Sequence, residues 1–304
     1  MSDEEIRRDH NQSEEQAARG SIPRSAPTST PTSTFLKRLS RSVEEHDGSR
    51  VVLALDLPRD TLVDKICSTI DALACYICGI KINMHLLIPL SMDDIKYVND
   101  HAHSYGLQSI ADIKLNDIPS TNKVAIDSLA DSGFDALTIN PIIGLDALNY
   151  TIHHVHSRGV GGMGAIALVY MSHGSAESSY GMQVRIASER ESDQNLASST
   201  RLYRIFLEWA LTSNADGIVV GATRPETIRE CREVVGKQGR RITAIFSPGS
   251  GAQGGDPSIA LRSGADYIIV GRSILYSDDP VKEASRLAKI SLSSYSSAKY
   301  EPPL

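Results

Sequence analysis

The sequence predicts an α/β protein, a single (β/α)8 TIM barrel preceded by a disordered N-terminal extension. Three observations carry that prediction. From about Arg50 onward, short β-branched or apolar runs alternate with longer amphipathic stretches. These runs number eight, the arithmetic of eight β-α units across about 250 residues. The charged residues on the inward faces of the runs all fall late in them, at the end where such barrels gather polar groups. A doubly wound sheet is the rival architecture, and the count of eight favours the barrel. With 304 residues, 41% of them hydrophobic and 22% charged, the chain has the composition to bury a large core.

The first 34 residues differ in character from the rest. They are rich in Ser, Thr, Pro, Arg and Glu ("SAPTSTPTST"), lack apolar periodicity, and cannot bury enough surface to offset the entropy of ordering. Residues 1–34 are therefore expected to be a disordered tail and 35–304 the barrel domain. No apolar core of a secretory signal is present, and Asp3, Glu4, Glu5, Glu14 and Glu15 argue against a transit peptide.

The strands follow in order, each leading into a helix-like segment: "VVLALDL" (51–57), "YICGIKI" (76–82), "LQSIADIK" (107–114), "DALTIN" (135–140), "AIALVYM" (165–171), "GIVVGA" (217–222), "ITAIFS" (242–247) and "YIIVG" (267–271), the last helix being "DPVKEASRLAKI". Strand residues alternate between the barrel interior and the helix layer. In the first strand Val52, Ala54 and Asp56 share the inward face, while Val51, Leu53, Leu55 and Leu57 face the helices. The second places Ile77, Gly79 and Lys81 inward, and the third Ile110, Asp112 and Lys114. The fifth places Leu168, Tyr170 and Ser172 inward, and the eighth Ile268, Val270 and Arg272. A single Asp at a strand end is ordinarily a cap or turn residue, and a terminal Lys reaches solvent along its stem. Five strands agreeing implies instead that the charges converge on one mouth, where they offset one another's burial cost.

After the seventh strand, "SPGSGAQGGD" (247–256) is a glycine-rich loop leading into a helix, and "GRS" (271–273) follows the eighth. Barrels bind phosphate at this place with backbone N–H groups, helix amino ends and a bidentate Arg, so a phosphorylated substrate is expected. Gly249, Gly251 and Gly254 also match G-x-G-x-x-G. That match follows the seventh strand instead of the first and has no clear acidic partner about 20 residues on, so a dinucleotide site is not expected.

Other features have plainer readings. A net charge of −6 leaves no basic footprint for nucleic acid and no polybasic membrane anchor. No apolar run approaches the roughly 20 residues that span a bilayer. Four cysteines make no disulfide framework, which points to a reducing, cytoplasmic setting. "CYIC" (75–78) reads as buried thiols, because positions three apart on a strand face opposite ways. "HHVH" (153–156) reads as a solvated helix end, and the polar stretch 173–200 as either a lid or a decorative insertion.

Together, "ADIKLNDIPSTN", "MSHGSA", "SPGSGAQGGD" and "VGRSI" resemble the orotidine 5'-phosphate decarboxylase family, most of all its archaeal-type branch, over about Arg50 to Ile290. The resemblance implies cofactor-free, metal-free decarboxylation of orotidine 5'-phosphate (OMP) to UMP in de novo pyrimidine synthesis, by a homodimer with shared sites. It implies that Lys114 protonates the pyrimidine C6 and that Asp112 lies against the departing carboxylate. Lys81 would hold that array and the ribose, and Asp56 would bind ribose hydroxyls. Asp117 and Thr121 would come from the neighbouring chain, and Ser172 would contact the ring. Gln253 and Arg272 would hold the phosphate, and Pro248, Gly251 and Gly271 would also contact the substrate. From spacing alone Asp117 reads equally as an N-terminal cap within its own chain. A related barrel group shares the D-x-K-x-x-D core but decarboxylates or condenses sugar phosphates with magnesium, using a carboxylate at the end of strand two. Lys81 stands at that position here.

Overall fold

A computed structural model describes residues 34–159, 161–186, 198–237, 243–251 and 253–298. The expected disorder of the front segment falls on residues outside these, except for Thr34. Thr34 is the first residue of a helix, α1 (Thr34–Glu45), and its hydroxyl donates to the carbonyl of Gly161.

All eight expected strands form: β1 (Val51–Ala54), β2 (Gly79–Asn83), β3 (Gln108–Leu115), β4 (Ala136–Ile139), β5 (Gly164–Tyr170), β8 (Gly217–Val220), β9 (Ala244–Pro248) and β10 (Tyr267–Val270). They close into a barrel in the order β1-β10-β9-β8-β5-β4-β3-β2, every neighbouring pair parallel. The helices between them are α2 (Val63–Leu73), α3 (Met84–Leu87), α4 (Met92–Ser104), α5 (Pro119–Asp131), α6 (Leu145–His156), α7 (Leu202–Thr212), α8 (Pro225–Lys237), α9 (Pro257–Arg262), α10 (Arg272–Leu275) and α11 (Pro280–Ala298). Inside the polar stretch 173–200, β6 (Gln183–Ile186) and β7 (Ser198–Arg201) pair as an antiparallel hairpin. The hairpin base is fixed to the barrel through Glu177. This carboxylate accepts from the Tyr170 hydroxyl at 2.6 Å and from Arg201 at 2.9 Å, and lies 3.3 Å from Arg224.

Helix α1 covers the amino-terminal end of the barrel. Phe35 and Leu39 are fully buried, and Phe35 packs so closely on the first residue of β5 that Gly164 has no room for a Cβ. Arg38 donates to Gln108, the first residue of β3. Three sister loops, "SGFD", "SNAD" and "SGAD", enter β4, β8 and β10 at this end, each turning through a positive φ at Gly133, Asn214 or Gly264. Each ends in an aspartate that accepts a main-chain N–H from the neighbouring, preceding barrel strand: Asp135 from Ser109 at 2.8 Å, Asp216 from Ala165 at 2.7 Å and Asp266 from Ile245 at 2.8 Å. A basic side chain then meets each carboxylate: Arg38 and His103 on Asp135, His156 on Asp216, Arg232 on Asp266. The hydrogen bond to Asp135 raises the pKa of His103 against the opposing effect of burial.

Two expectations are corrected at this level. Cys78 is buried but Cys75 is exposed, because residues 74–76 form a 3-10 turn and the second strand begins only at Gly79. The "HHVH" end is not merely solvated: His154 meets Asp127 at 2.7 Å and His156 meets Asp216 at 2.8 Å, leaving His153 exposed.

Candidate active site

At the carboxyl-terminal mouth a cavity is lined from two arcs of the barrel. The arc β1-β2-β3-β4 supplies Ala54, Asp56, Lys81, Asn83, Asp112, Lys114 and Thr138. The arc β5-β8-β9-β10 supplies residues at and beyond the strand ends, with Ser172, Pro248, Gln253, Gly271 and Arg272 among them.

The first arc is one connected polar array. Asp112 sits between two ammonium groups: Lys81 Nζ lies 2.7 Å from Oδ2 and Lys114 Nζ 2.8 Å from Oδ1. Lys81 also donates to the Asn83 side-chain carbonyl, and the Asn83 amide donates to Asp56 Oδ1 at 2.7 Å. The Asp112 and Lys81 side chains are 12% and 6% exposed, whereas Lys114 is 39% exposed and so remains open to a bound molecule. Burial alone would push the Asp112 carboxyl up. The two lysines and their hydrogen bonds outweigh that and hold it well below the usual carboxylate range. The expectation that these charges offset one another at the mouth is met by this geometry.

Local backbone irregularity aims the array. Ala111 pairs with Leu137 and Leu115 with Ile139, so three residues of β3 bulge opposite the single residue Thr138. Lys114 takes φ 48°, a left-handed conformation uncommon outside glycine and a form of local strain found at functional sites. At the join with β10, Gly271 leaves space for the Asp56 carboxylate, which a Cβ there would strike together with the Ala54 carbonyl.

Simple alternation fails in two strands. In β5 a register shift between Leu168 and Tyr170 turns Tyr170 outward, against Tyr180 and Tyr203, while Leu168, Met171 and Ser172 line the mouth. In β10 the lining residues are Ile269 and Gly271, not Ile268 and Val270. Arg272 reaches the cavity because the strand has ended and α10 has begun.

The glycine-rich loop also differs from expectation. The N–H groups of Gly251, Gly254 and Gly255 are used inside the loop, on Gly255, Gly251 and Gly249 carbonyls at 2.8, 2.7 and 3.1 Å. Those three amides are therefore engaged within the loop itself. Gly251 shapes the loop by packing against Ser273 but is not in the cavity wall. Gly249 brings the loop against Ser172, since a Cβ on it would lie 2.7 Å from that side chain and 2.8 Å from Gln253 Oε1.

Asp117 and Thr121 do not line the mouth of their own chain. Both are exposed at the start of α5, where Asp117 Oδ1 accepts the Ile118 N–H at 2.7 Å. Within the first arc two lining residues were not anticipated, Asn83 and Thr138. Continuing the alternation from Lys81 reaches Asn83, and in "DALTIN" alternation from Ala136 reaches Thr138. Neither carries a charge that would mark it in the sequence.

A family model for the orotidine 5'-phosphate decarboxylase / HUMPS family matches residues 49–287. The chain belongs to that family. A curated relative from Pyrococcus abyssi, named orotidine 5'-phosphate decarboxylase, is 33% identical over 237 residues, covering 78% of this chain and 95% of the relative. One from Methanosarcina mazei with the same name is 29% identical, covering 79% and 93%. The crystal structure of orotidine 5'-phosphate decarboxylase from Pyrococcus horikoshii is 28% identical with a TM-score of 0.61, covering 79% of this chain and 98% of that one. The resemblance to archaeal members of the orotidine 5'-phosphate decarboxylase family thus extends over the whole barrel. Helix α1 lies ahead of the matched stretch.

Proposed function

We propose that this chain decarboxylates OMP to UMP, the final step of de novo pyrimidine synthesis, without a cofactor. The observation that carries the reading is the Lys81–Asp112–Lys114 array in a member of this family, with both Asp112 oxygens held at 2.7 and 2.8 Å by ammonium groups. In the proposed reaction the bond between C6 and the carboxylate carbon breaks, its electron pair stays on C6, and CO2 leaves. The Lys114 ammonium stabilises the developing carbanion more than the ground state, then transfers a proton to C6. Solvent reprotonates the amine, which is consistent with the partial exposure of Lys114. Asp112 lies against the departing carboxylate and keeps Lys114 oriented. Lys81 and Asp56 hold the ribose, Ser172 the pyrimidine, and Gln253 and Arg272 the phosphate, beside Pro248 and Gly271.

The proposal includes a homodimer in which Asp117 and Thr121 complete the neighbouring site. Their exposure supports it, as does the apolar surface at α5, at the turn after β4 and on α6: Ile118, Val124, Ile142 and Tyr150 are 63%, 66%, 53% and 53% exposed. A cytoplasmic setting is supported by the four free cysteines. Among the described residues no helix is long and apolar enough to cross a membrane.

The magnesium-dependent sugar-phosphate reading is disfavoured by the donor set. Lys81 would repel a divalent ion, and lysines already occupy both oxygens of Asp112. Turnover of OMP followed by ultraviolet absorbance, with and without EDTA, tests the proposal. EDTA-insensitive loss of OMP is expected. No turnover of OMP, together with metal-dependent turnover of a sugar phosphate, would overturn it.

A further inference from the structure

Opposite the β3 bulge, Thr138 makes two hydrogen bonds with different parts of the array. Its hydroxyl donates to Asp112 Oδ1 at 2.9 Å and accepts the main-chain N–H of Lys114 at 2.9 Å. A hydroxyl can do both at once, whereas an aliphatic side chain can do neither. The residue is 3% exposed, so water is a poor substitute for either bond. The ladder explains why a side chain is needed here. Between the pairs Ala111↔Leu137 and Leu115↔Ile139 the main chain of β4 offers one residue to three of β3, and the Lys114 N–H finds a side-chain oxygen instead of a carbonyl. Lys114 is also the residue turned through φ 48°. The carboxylate oxygen that Thr138 holds is the one that Lys114 Nζ meets at 2.8 Å.

We propose that Thr138 is a positioning residue that fixes the proton donor at both ends. It would hold the Lys114 main chain in its left-handed turn, and through Asp112 Oδ1 it would hold the ammonium. This inference rests on the OMP decarboxylase reading. It assigns to a neutral residue of the fourth strand the task of keeping Lys114 preorganised, so the chemical step depends on it more than binding does.

The test compares Thr138→Val, which keeps the shape and removes the hydroxyl, with Thr138→Ser, which keeps the hydroxyl. Loss of a hydrogen bond to a charged group that orients the donor should lower kcat about 10- to 100-fold in Thr138→Val, with KM changed less than about threefold. Thr138→Ser should recover to within about threefold of the parent. A merely structural role would instead lower the thermal midpoint in Thr138→Val without this split between kcat and KM. Amide hydrogen exchange at Lys114 supplies an arm independent of turnover: its N–H should be protected in the parent and Thr138→Ser and exchange faster in Thr138→Val. If the parent does not turn over OMP, the functional reading fails and the catalytic claim with it, while the exchange arm still decides whether Thr138 holds Lys114. Equal kcat in parent and Thr138→Val, or unchanged protection of the Lys114 amide, overturns the proposal.

Discussion

Lys114 combines two tasks that separate on substitution. Its ammonium is a cation fixed 2.8 Å from Asp112 and a proton donor on a partly exposed stem. Lys114→Ala removes both and leaves Asp112 paired with Lys81 alone. General acid catalysis is worth about 10²–10⁴-fold and an oriented charge about 10²–10³-fold, so kcat should fall by at least about 10⁴-fold. The side chains proposed to grip the phosphate, Gln253 and Arg272, are untouched, and UMP affinity measured by calorimetry should stay within about tenfold. Turnover near the parent level would remove Lys114 from the mechanism. Residues of this kind are legible in a sequence because a charge at the end of a buried run needs a physical explanation. Thr138 and Asn83 are not, since an uncharged polar residue on a strand is compatible with many environments. Their roles emerge only when the bulge in β3 and the reach of Lys81 are visible.

At the scale of elements, all eight strands were legible because each is a compact apolar run bounded by turn residues. The phase of two was not. A register shift in β5 and the strand-to-helix join at Gly271 break the period of two on which inward faces are counted, so Tyr170 leaves the mouth while Arg272 still reaches it. Helix α1 and the β6–β7 hairpin were both missed, α1 because it follows the Ser/Thr/Pro-rich tract and belongs to no β-α unit. Its apolar positions, Phe35, Leu36, Leu39 and Val43, are all buried. The snug fit of Phe35 on Gly164 implies that α1 contributes directly to the stability of the barrel floor. Phe35→Ala should lower the unfolding free energy by about 3–5 kcal/mol, the usual cost of emptying a buried phenylalanine site. Chemical denaturation would measure it, with little change expected in kcat because the mouth lies at the other end of the strands. A loss below about 1 kcal/mol would mean that α1 is only loosely attached.

The largest scale concerns what a single barrel lacks. Asp117 belongs to the same motif as Asp112 and Lys114, yet it stands outside its own mouth and only accepts the N–H of the adjacent Ile118 at 2.7 Å; Ile118, not Asp117, is the N-cap of α5, and no side-chain cap bond forms there. The shared-site reading gives it a second task in a neighbouring barrel. Mixing decides between them. Chains carrying Lys114→Ala and chains carrying Asp117→Ala, each inactive alone, are unfolded together and refolded so that dimers form at random. Half the dimers are then mixed. In each mixed dimer one site takes Lys114 from one chain and Asp117 from the other, both intact, so about a quarter of all sites should recover full activity by counting on a two-fold assembly. If Asp117 serves only its own chain, every site in every dimer carries one lesion and the mixture stays as inactive as its components. Recovery near a quarter would make the dimer the catalytic unit. It would also give the exposed Ile118 and Val124 beside Asp117 their role as the surface that brings the second chain into place.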